Sequence, residues 1–426
     1  MKTFRVPIAQ FVLLATLPLL SCKSPGHADT VLPLPSASSH ASSAPASCSA
    51  LSVGADGAFN GFVPDPTDAW HQDVTTAPLS PISEDFSLKR VDLGGAILHP
   101  DFGSQFGIPY NVVDSASTPP RFVSINQYVN ESDISAVPLP SNPATEGSAP
   151  SCSETGGDQH LILVDRKSCS AYEYFVASTC NGGWSAANVA MFDLQTPNRR
   201  PFGFTSADAA GLSILEGLVR YDEILAGHID HALRFTSRFT RRGQHGSLFV
   251  APANHGAGQS LVTDNVMGMR IRLKQDFDVS RFSPTNQIIL NAMKRYGLIL
   301  ADNGSNLYFQ GTRDPRWNDQ DLKQLSEVHA SDFDVLQMGP TSNTDEAPKG
   351  PAPEIVSFTA SPAVSQPGMP VTLLTEVRGA SYTYIDQTGF LRGNSLVVRP
   401  QRTTHYKLSA RNEYGTASAE LTIEVH

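Results

Sequence analysis

The stretch GLVRYDEILAGHIDHALRF, residues 217–235, carries acids, histidines and arginines interleaved with apolar residues. Glu223 and His231 are of the types that act as general acids and bases, because a protein environment can bring their pKa values close to neutral pH. Arg220 beside them could hold an acidic or hydroxyl-rich ligand through its planar guanidinium. One interpretation of this stretch is therefore a proton-transfer site. The other is a helix-to-strand joint in a buried core.

The elements that must position these side chains are a short helix and a strand. Residues 221–226 fit one helical turn, which Gly227 can end in the left-handed conformation. The alternation that follows is typical of a strand and puts His231 on the same face as Leu233 and Phe235. A histidine among apolar neighbours is usually buried with its ring nitrogens bonded to backbone groups, and we favour this interpretation. A base at the floor of a cleft is the alternative.

Two further acids are candidates for an acid–base pair. Glu173 in AYEYF alternates away from Tyr172 and Tyr174, so a solvated strand face is the simpler interpretation. A partner such as Glu223 across a cleft would instead make it half of the carboxylate pair that glycoside cleavage requires. Asp208 in FTSADAAG fits either a catalytic acid or a residue that caps the free amides of a helix, and we favour the cap. No cofactor or metal motif accompanies these residues, so the cofactor is left open and no metal ligand is predicted.

The first 22 residues predict the destination of the chain. They have a basic start and an apolar run too short to span a bilayer comfortably, which is typical of a secretory signal. Their end, LLSC, resembles the lipobox of bacterial lipoproteins. This resemblance implies cleavage before Cys22, lipidation of that cysteine and a membrane partner. Because Lys23 is not the aspartate of inner-membrane retention, it also implies the outer membrane or the cell surface. An ordinary secretory signal is the alternative.

Composition divides the rest of the chain into four parts. Residues 23–50 are mostly Ser, Pro and Ala and predict a disordered tether, because they cannot bury enough apolar surface to offset the entropy of ordering. Residues 51–338 form the main body. Residues 339–352 are rich in Pro, Gly and charge and predict a linker. Residues 353–426 alternate in short runs between turn signals, which predicts a small all-β sandwich.

The last part also resembles a known module. SFTASP, PGMPVTL, TTHYKLSARNEYG and AELTIEVH look like the bacterial Ig-like domains appended to many secreted proteins. The resemblance implies an immunoglobulin-like β-sandwich that spaces or binds, since it carries no catalytic motif.

The body predicts a mainly β domain, a β-sandwich or jelly roll decorated with a few helices. The clearest helix lies in FSPTNQIILNAMKRYG, with Ser283 as its N-cap and Gly297 as its stop. A second short helix is expected in DPRWNDQDLKQL. Asn303 and Gly304 fit a type I′ turn, which predicts a hairpin between the two alternating segments that flank them.

Four cysteines follow Cys22, and an even number in an oxidising compartment predicts two disulfides. Cys169 and Cys180 flank a short strand-like segment, so we favour this pair. By elimination, Cys48 pairs with Cys152. None of these cysteines has the close paired spacing of a zinc site.

Charge argues against nucleic acid as a partner. The net charge is −10 over 426 residues, and no basic patch is dense. The segment SRFTRRGQHG, residues 237–246, comes nearest, but three arginines between two strands are more simply a solvated turn. The oligomeric state is left open.

Three longer strings suggest relatives. FTSADAAGLSILEGLVRYDEILAGHIDHALRFT, MGMRIRLKQDFDVSRFSPTNQIILNAMKRYGLILADNGSNLYF and DPRWNDQDLKQL look like strings shared by a group of secreted bacterial proteins, sometimes beside carbohydrate-active or Ig-like modules. The resemblance covers most of residues 155–335. It implies a secreted, envelope-associated domain and assigns no activity.

Two classes of function follow from these observations. The first is a surface enzyme that hydrolyses or eliminates polysaccharide, with Glu223 or Glu173 as acid or base, His231 as a second proton-transfer group and Arg220 holding the substrate. The second is a non-catalytic lipoprotein that binds glycan or protein. Convergence of these groups around an open pocket would favour the enzyme, and their burial against structural partners would favour the binder. Sugar-stacking aromatics are expected in either class, namely Trp70, Trp184 and Trp317.

Overall fold

The computed structural model describes residues 52–53, 59–60, 68–90, 95–134, 136–147, 157–180, 182–196 and 200–426. All of them lie in one compact unit, Ala46–His426. The predicted signal peptide, the predicted tether and the predicted lipidation site Cys22 lie outside the described residues, as do Cys48 and Cys152. No helix within the described ranges is long and apolar enough to cross a bilayer.

The fold is mainly β, as the sequence predicts. The strands of the body are β1 (Ser52–Val53), β2 (Phe59–Asn60), β3 (His99–Asp101), β4 (Tyr110–Val113), β5 (Pro120–Ile125), β6 (Ala136–Pro138), β7 (Leu161–Asp165), β8 (Ser170–Phe175), β9 (Ser178–Cys180), β10 (Gly183–Ala186), β11 (Asn188–Asp193), β12 (Leu233–Ser237), β13 (Leu248–Phe249), β14 (Arg270–Leu273), β15 (Leu298–Asn303), β16 (Tyr308–Gln310), β17 (Phe333–Val335) and β18 (Ser342–Asn343). The helices are α1 (Ser87–Arg90), α2 (Ile214–Gly217), α3 (Tyr221–Ala226), α4 (Pro284–Arg295) and α5 (Asp319–Leu322), with 3-10 turns at Val129–Glu131, Lys323–Glu327 and Ala330–Asp332.

Three larger sheets build most of the described body, beside the two-stranded sheets β1-β2 and β13-β18. A six-stranded sheet has the order β17-β14-β15-β12-β16-β3, and two four-stranded sheets have the orders β11-β8-β7-β4 and β6-β5-β10-β9. The main core lies on the six-stranded sheet, where Ile289 and Met293 of α4 pack in one cluster with Leu233 and Phe235 of β12. The helix follows its sequence signals, since the Ser283 hydroxyl accepts from Asn286 N and Gly297 has a positive φ. These predictions are confirmed, as is the short helix α5.

The predicted hairpin at residues 303–304 is wrong. Strands β15 and β16 do not pair with each other, because β12 lies between them, parallel to β15 and antiparallel to β16. Asn303 is the last residue of β15 rather than a turn residue. Alternation shows that a segment is a strand but not which strand is its partner. Strand β12 takes the central place, and all five of its residues are buried there.

The last eight strands form a small sandwich, as predicted: β19 (Glu354–Ser361), β20 (Val364–Ser365), β21 (Val371–Arg378), β22 (Tyr382–Ile385), β23 (Gly389–Phe390), β24 (Ser395–Val398), β25 (Thr404–Asn412) and β26 (Gly415–Val425). One sheet has the order β19-β21-β24 and the other has the order β20-β26-β25-β22-β23. Leu373, Leu408 and Ile423 lie in the core between them.

The C-terminal sandwich also shares a core with the body. Tyr382, Tyr384 and Phe390 pack in one cluster with Tyr174 and Met191 from the four-stranded sheet β11-β8-β7-β4. The first residues of the predicted linker are likewise part of the body, because β18 pairs with β13. Composition therefore marks a change of fold near residue 350, while the packing joins the two parts.

Cys169 is disulfide-bonded. Leu194 N donates to Cys169 O at the end of β11, and Cys180 lies opposite Gly183 at the start of β10. Cys48 and Cys152 lie outside the described residues, so the favoured pairs Cys169–Cys180 and Cys48–Cys152 stay predictions.

Candidate functional site

The opening stretch forms a compact ionic cluster at the start of α3. Gly227 ends this helix in the left-handed conformation, as predicted. Glu223 accepts from Arg220 N at 2.9 Å, which caps the helix, and from Arg220 Nη2 at 2.6 Å. His231 Nε2 lies 2.8 Å from the same carboxylate. All three side chains are buried. We refer to Arg220, Glu223 and His231 as the Glu223 cluster.

The hydrogen bonds of the Glu223 cluster leave no free proton-transfer group. His231 Nδ1 faces Ala232 O at 2.8 Å while Nε2 faces the Glu223 carboxylate at 2.8 Å, so both ring nitrogens are engaged in hydrogen bonds. Burial alone would raise the pKa of Glu223, but the charges of Arg220 and His231 hold it below its ordinary value. The carboxylate is therefore ionised and paired. His231 is buried, as the favoured interpretation expects, but only its Nδ1 bonds to a backbone group, and its Nε2 bonds to Glu223 instead.

His71 extends this cluster from far away in the sequence. Its ring meets that of His231 edge-on, with 6.0 Å between the centroids, and its Nδ1 bonds to Asp230 O at 2.9 Å. Burial lowers the pKa of His71 to about 4, and the charges of His231 and Arg220 add to this effect. His71 is thus neutral at physiological pH. No local pattern around His71 signals this contact.

Glu173 lies elsewhere and has a structural role. It is fully buried on the central strand β8, so the solvated strand face is wrong. Its carboxylate accepts from Ser213 Oγ at 2.8 Å and from the backbone N of Ile214 at 2.7 Å and of Leu215 at 3.0 Å. Burial raises its pKa to about 7, and these bonds oppose the rise. Glu173 therefore fixes the start of α2 from a fully buried position.

Asp208 belongs to a third arrangement and caps no helix. Its carboxylate forms a two-point ion pair with Arg234, with Oδ1 to Nη2 at 2.7 Å and Oδ2 to Nε at 3.0 Å. Asp302 lies 3.9 Å from the same guanidinium. Because β12 is central and covered on both faces, Arg234 is buried and needs this partner. The predicted cap is wrong, and the catalytic alternative has no exposed acid here.

A neighbouring pair joins the buried His160 to the half-buried Glu146. His160 Nδ1 lies 2.6 Å from the Glu146 carboxylate, and Nε2 faces Ala207 O at 3.2 Å. Burial by itself would lower the pKa of His160, but the hydrogen bond and charge of Glu146 raise it to about 9. The three arrangements around Glu223, Glu173 and Asp208 do not converge on one open pocket.

An open cleft of about 600 Å³ lies beside the Glu223 cluster. Its walls come from β4 and the turn that follows it, from the first residues of α3 and from the loop after β16. The charged residues of its lining are Asp114, Arg166, Asp222, Arg313, Asp314 and Arg316. Tyr221 and Asp222 thus face the cleft, while the residues of the Glu223 cluster are not part of its lining.

Most charges in the cleft are already paired. Arg166 Nη2 lies 2.9 Å from Asp114 Oδ2, and Arg316 Nη2 lies 2.6 Å from Asp314 Oδ2. Arg313 differs from them, because it is half-buried and makes no ion pair or side-chain hydrogen bond with the described residues. Its five N–H donors are therefore available to a ligand.

Two tyrosines add flat surfaces to the cleft. Burial and the charge of Asp222 raise the pKa of Tyr110 well above its ordinary value, so its hydroxyl stays a neutral donor. The Tyr221 ring is held in place by the Arg316 guanidinium, 4.4 Å from its centroid, and by Trp317, edge-on at 4.7 Å. The expected stacking role of Trp317 is wrong, because this tryptophan is buried.

The remaining tryptophans do not form a platform at the cleft. Trp70 is buried in the main core, and Trp184 packs partly buried against the core that the sandwich shares. Sequence reasoning missed Tyr110 and Arg313. The charge-dense string RDPRW was the one signal for the loop of Arg313, and Tyr110 stands in an ordinary strand pattern.

Comparison with known proteins adds no assignment. No family model matches the chain, and no curated protein matches it. Within the part of the chain that the structure describes, no group of three or more His, Cys, Asp or Glu side chains could hold a metal ion.

Proposed function

We propose that this chain is a cell-envelope lipoprotein that binds an acidic glycan in the cleft beside α3 and does not cleave it. The observation that carries the proposal is Arg313, a half-buried guanidinium without an ionic partner among the described residues, in a cleft of about 600 Å³. A guanidinium presents a rigid pair of donors to a carboxylate, which suits a uronic acid. The Tyr110 ring, which lines the same cleft, offers a flat surface to a sugar ring.

Binding is favoured over catalysis because the acid–base candidates are engaged. Glu223 and His231 bond to each other and to Arg220, and Glu173 caps α2. Glycoside cleavage needs two carboxyl groups facing one sugar ring, one of them protonated. In the cleft, burial would raise the pKa of Asp314, but the hydrogen bonds and charge of Arg316 hold it below its ordinary value. Asp314 is thus unsuited to donate a proton.

The ligand is tested with a matched pair of glycans. Oligogalacturonate and its methyl ester have the same sugar skeleton and differ in the carboxylate that Arg313 would bind. We expect calorimetric binding of the acid and at least ~tenfold weaker binding of the ester, because a charge-assisted bond is worth about 1.5–3 kcal/mol. Reducing-sugar and unsaturated-product assays of the same mixtures should stay at background. Equal binding of the two forms, or product release, would refute the proposal.

The anchor is tested separately. Cys22→Ser removes the thiol that would carry the acyl chain, so the protein should move from the membrane fraction to the soluble fraction. If this variant fractionates with membranes exactly as the parent does, the lipoprotein proposal fails, whatever the result for the cleft.

A further inference from the structure

A second surface of the body combines exposed apolar side chains with arginines. Segments 238–242 and 259–262 run side by side, joined by bonds from Gln259 N to Thr240 O at 2.9 Å and from Arg242 N to Ser260 O at 2.9 Å. Its six outward residues form what we call the arginine face: Phe239, Leu261, Val262, Arg238, Arg241 and Arg242.

The apolar members of the arginine face are unusually exposed. Phe239 is 49% exposed, Leu261 59% and Val262 85%, which makes Val262 the most exposed large apolar residue in the described ranges. Single exposed apolar residues are ordinary on protein surfaces. Here three stand on two segments that backbone hydrogen bonds join, and exposed apolar side chains grouped in this way mark places of contact with another phase or molecule.

The charge of the arginine face is opposite to that of the chain. Neither segment contains an acid, although the chain carries a net charge of −10. None of the three arginines pairs with a carboxylate of the described residues: Arg241 Nη1 donates to Thr263 O at 3.0 Å, and the Arg238 guanidinium lies 5.3 Å from the Phe239 ring centroid. The nearest acid in sequence, Asp264, is neutralised by Arg90 at 2.5 Å.

We propose that the arginine face docks on the anionic surface of a phospholipid bilayer. Apolar side chains that protrude among arginines suit the bilayer interface, where they enter the acyl boundary while the guanidinium groups bind phosphates. This inference rests on the proposed anchor at Cys22, which would bring a bilayer within reach of the body. Docking would hold the body against the membrane instead of leaving it free on its tether.

Vesicle sedimentation tests this docking in the absence of the acyl anchor at Cys22. A chain from Ala46 to His426 contains every described residue and lacks Cys22, so its result does not depend on lipidation. It should bind vesicles of equimolar phosphatidylglycerol and phosphatidylcholine, and not vesicles of phosphatidylcholine alone. Salt at ~0.5 M should release it, because screening then acts over only a few ångströms.

Matched variants locate the contact. Val262→Asp and Arg242→Glu should each weaken sedimentation with the anionic vesicles at least ~tenfold, since each removes one favourable contact and adds a charge that the surface repels. Val364→Asp and Arg402→Glu make the same changes at exposed positions of the C-terminal sandwich and should bind like the parent. All four variants should keep the parent's melting temperature.

Three outcomes would overturn the docking: no binding to anionic vesicles, equal binding to neutral ones, or equal losses in test and control variants. Concentration-dependent self-association that Val262→Asp abolishes, without vesicle binding, would identify a second copy as the occupant and would also overturn it. The two proposals can be distinguished by experiment. If Cys22→Ser stays with the membrane fraction while the 46–426 chain binds anionic vesicles, the anchor fails and the arginine face stands.

Discussion

Two buried ionic clusters of this protein look alike in chemistry and differ in their surroundings. At the seam with the C-terminal sandwich, Asp133 binds the guanidinium groups of Arg200 and Arg411, and Tyr384 donates to its backbone O at 2.7 Å. The Glu223 cluster likewise holds one carboxylate between two basic side chains, Arg220 and His231. The seam cluster joins residues from three distant parts of the sequence, whereas the Glu223 cluster is local.

This difference teaches that a buried, paired charge says little about function by itself. Both carboxylates are satisfied and neither is free for chemistry. The two clusters differ in the surface next to them. The sandwich covers the seam cluster. The Glu223 cluster instead fixes α3, which presents Tyr221 and Asp222 to an open cleft. The first cluster therefore holds the fold together, and the second holds the wall of a binding site.

Removing the C-terminal sandwich should have the largest effect. A chain that ends at Pro340 would lose Arg411 from Asp133 and would uncover the aromatic and apolar face around Tyr174. We expect this chain to aggregate or to unfold without a cooperative transition. Circular dichroism and calorimetry measure this unfolding. A soluble chain with one sharp transition would show that the body holds its own core and that the seam is dispensable.

Asp133→Asn should be the most damaging single substitution at the seam. It leaves two buried guanidinium groups without their anion, which costs about 3–5 kcal/mol when one partner of a buried pair is lost. Arg392→Ala is the control, because Arg392 pairs with Asp193 between the same two parts but is 37% exposed. Exposed pairs contribute at most about 1 kcal/mol. Chemical denaturation that gives similar losses for both variants would contradict the importance of the seam cluster.

More of the fold than of the candidate site could be predicted from the sequence. The caps of α4 and the glycine that ends α3 are local signals, and both predictions are confirmed. The place of β12 between β15 and β16 depends on competition among strands, which alternation does not encode. The roles of Glu173 and Asp208 depend on partners from other strands and loops, Ser213 and Arg234, so no local pattern could assign them.

The pair of His160 and Glu146 should make the stability of the protein depend on pH. The folded pKa of His160 is raised to about 9 from its ordinary 6.5, so its contribution is fully present below pH 6.5 and is lost as pH rises toward 9. This loss should be on the order of 3 kcal/mol at most. His160→Gln should flatten this part of the stability curve in urea titrations between these pH values. A parent curve that is already flat there would show that the Glu146 pair is not linked to folding.

Glu223→Gln should cost less than the seam substitution. The amide keeps the size of the side chain but loses the charge between Arg220 and His231, for a cost of about 1–3 kcal/mol. Leu225→Gln on the same helix is the control, because Leu225 is 58% exposed and should change stability little. If Glu223→Gln left the melting temperature unchanged and abolished turnover of a glycan by the parent, the cluster would be a catalytic site instead of a support.

The most direct test of the binding account is the affinity of Arg313→Ala for oligogalacturonate, measured by calorimetry beside Arg392→Ala as a control at another half-exposed arginine. Arg313 has no ionic partner in the described structure, so its loss should leave the melting temperature unchanged. We expect the dissociation constant of Arg313→Ala to rise at least ~tenfold, because a charge-assisted bond to the ligand disappears. The dissociation constant of Arg392→Ala should be unchanged. Parent-like affinity of Arg313→Ala for a ligand that the protein does bind would contradict it.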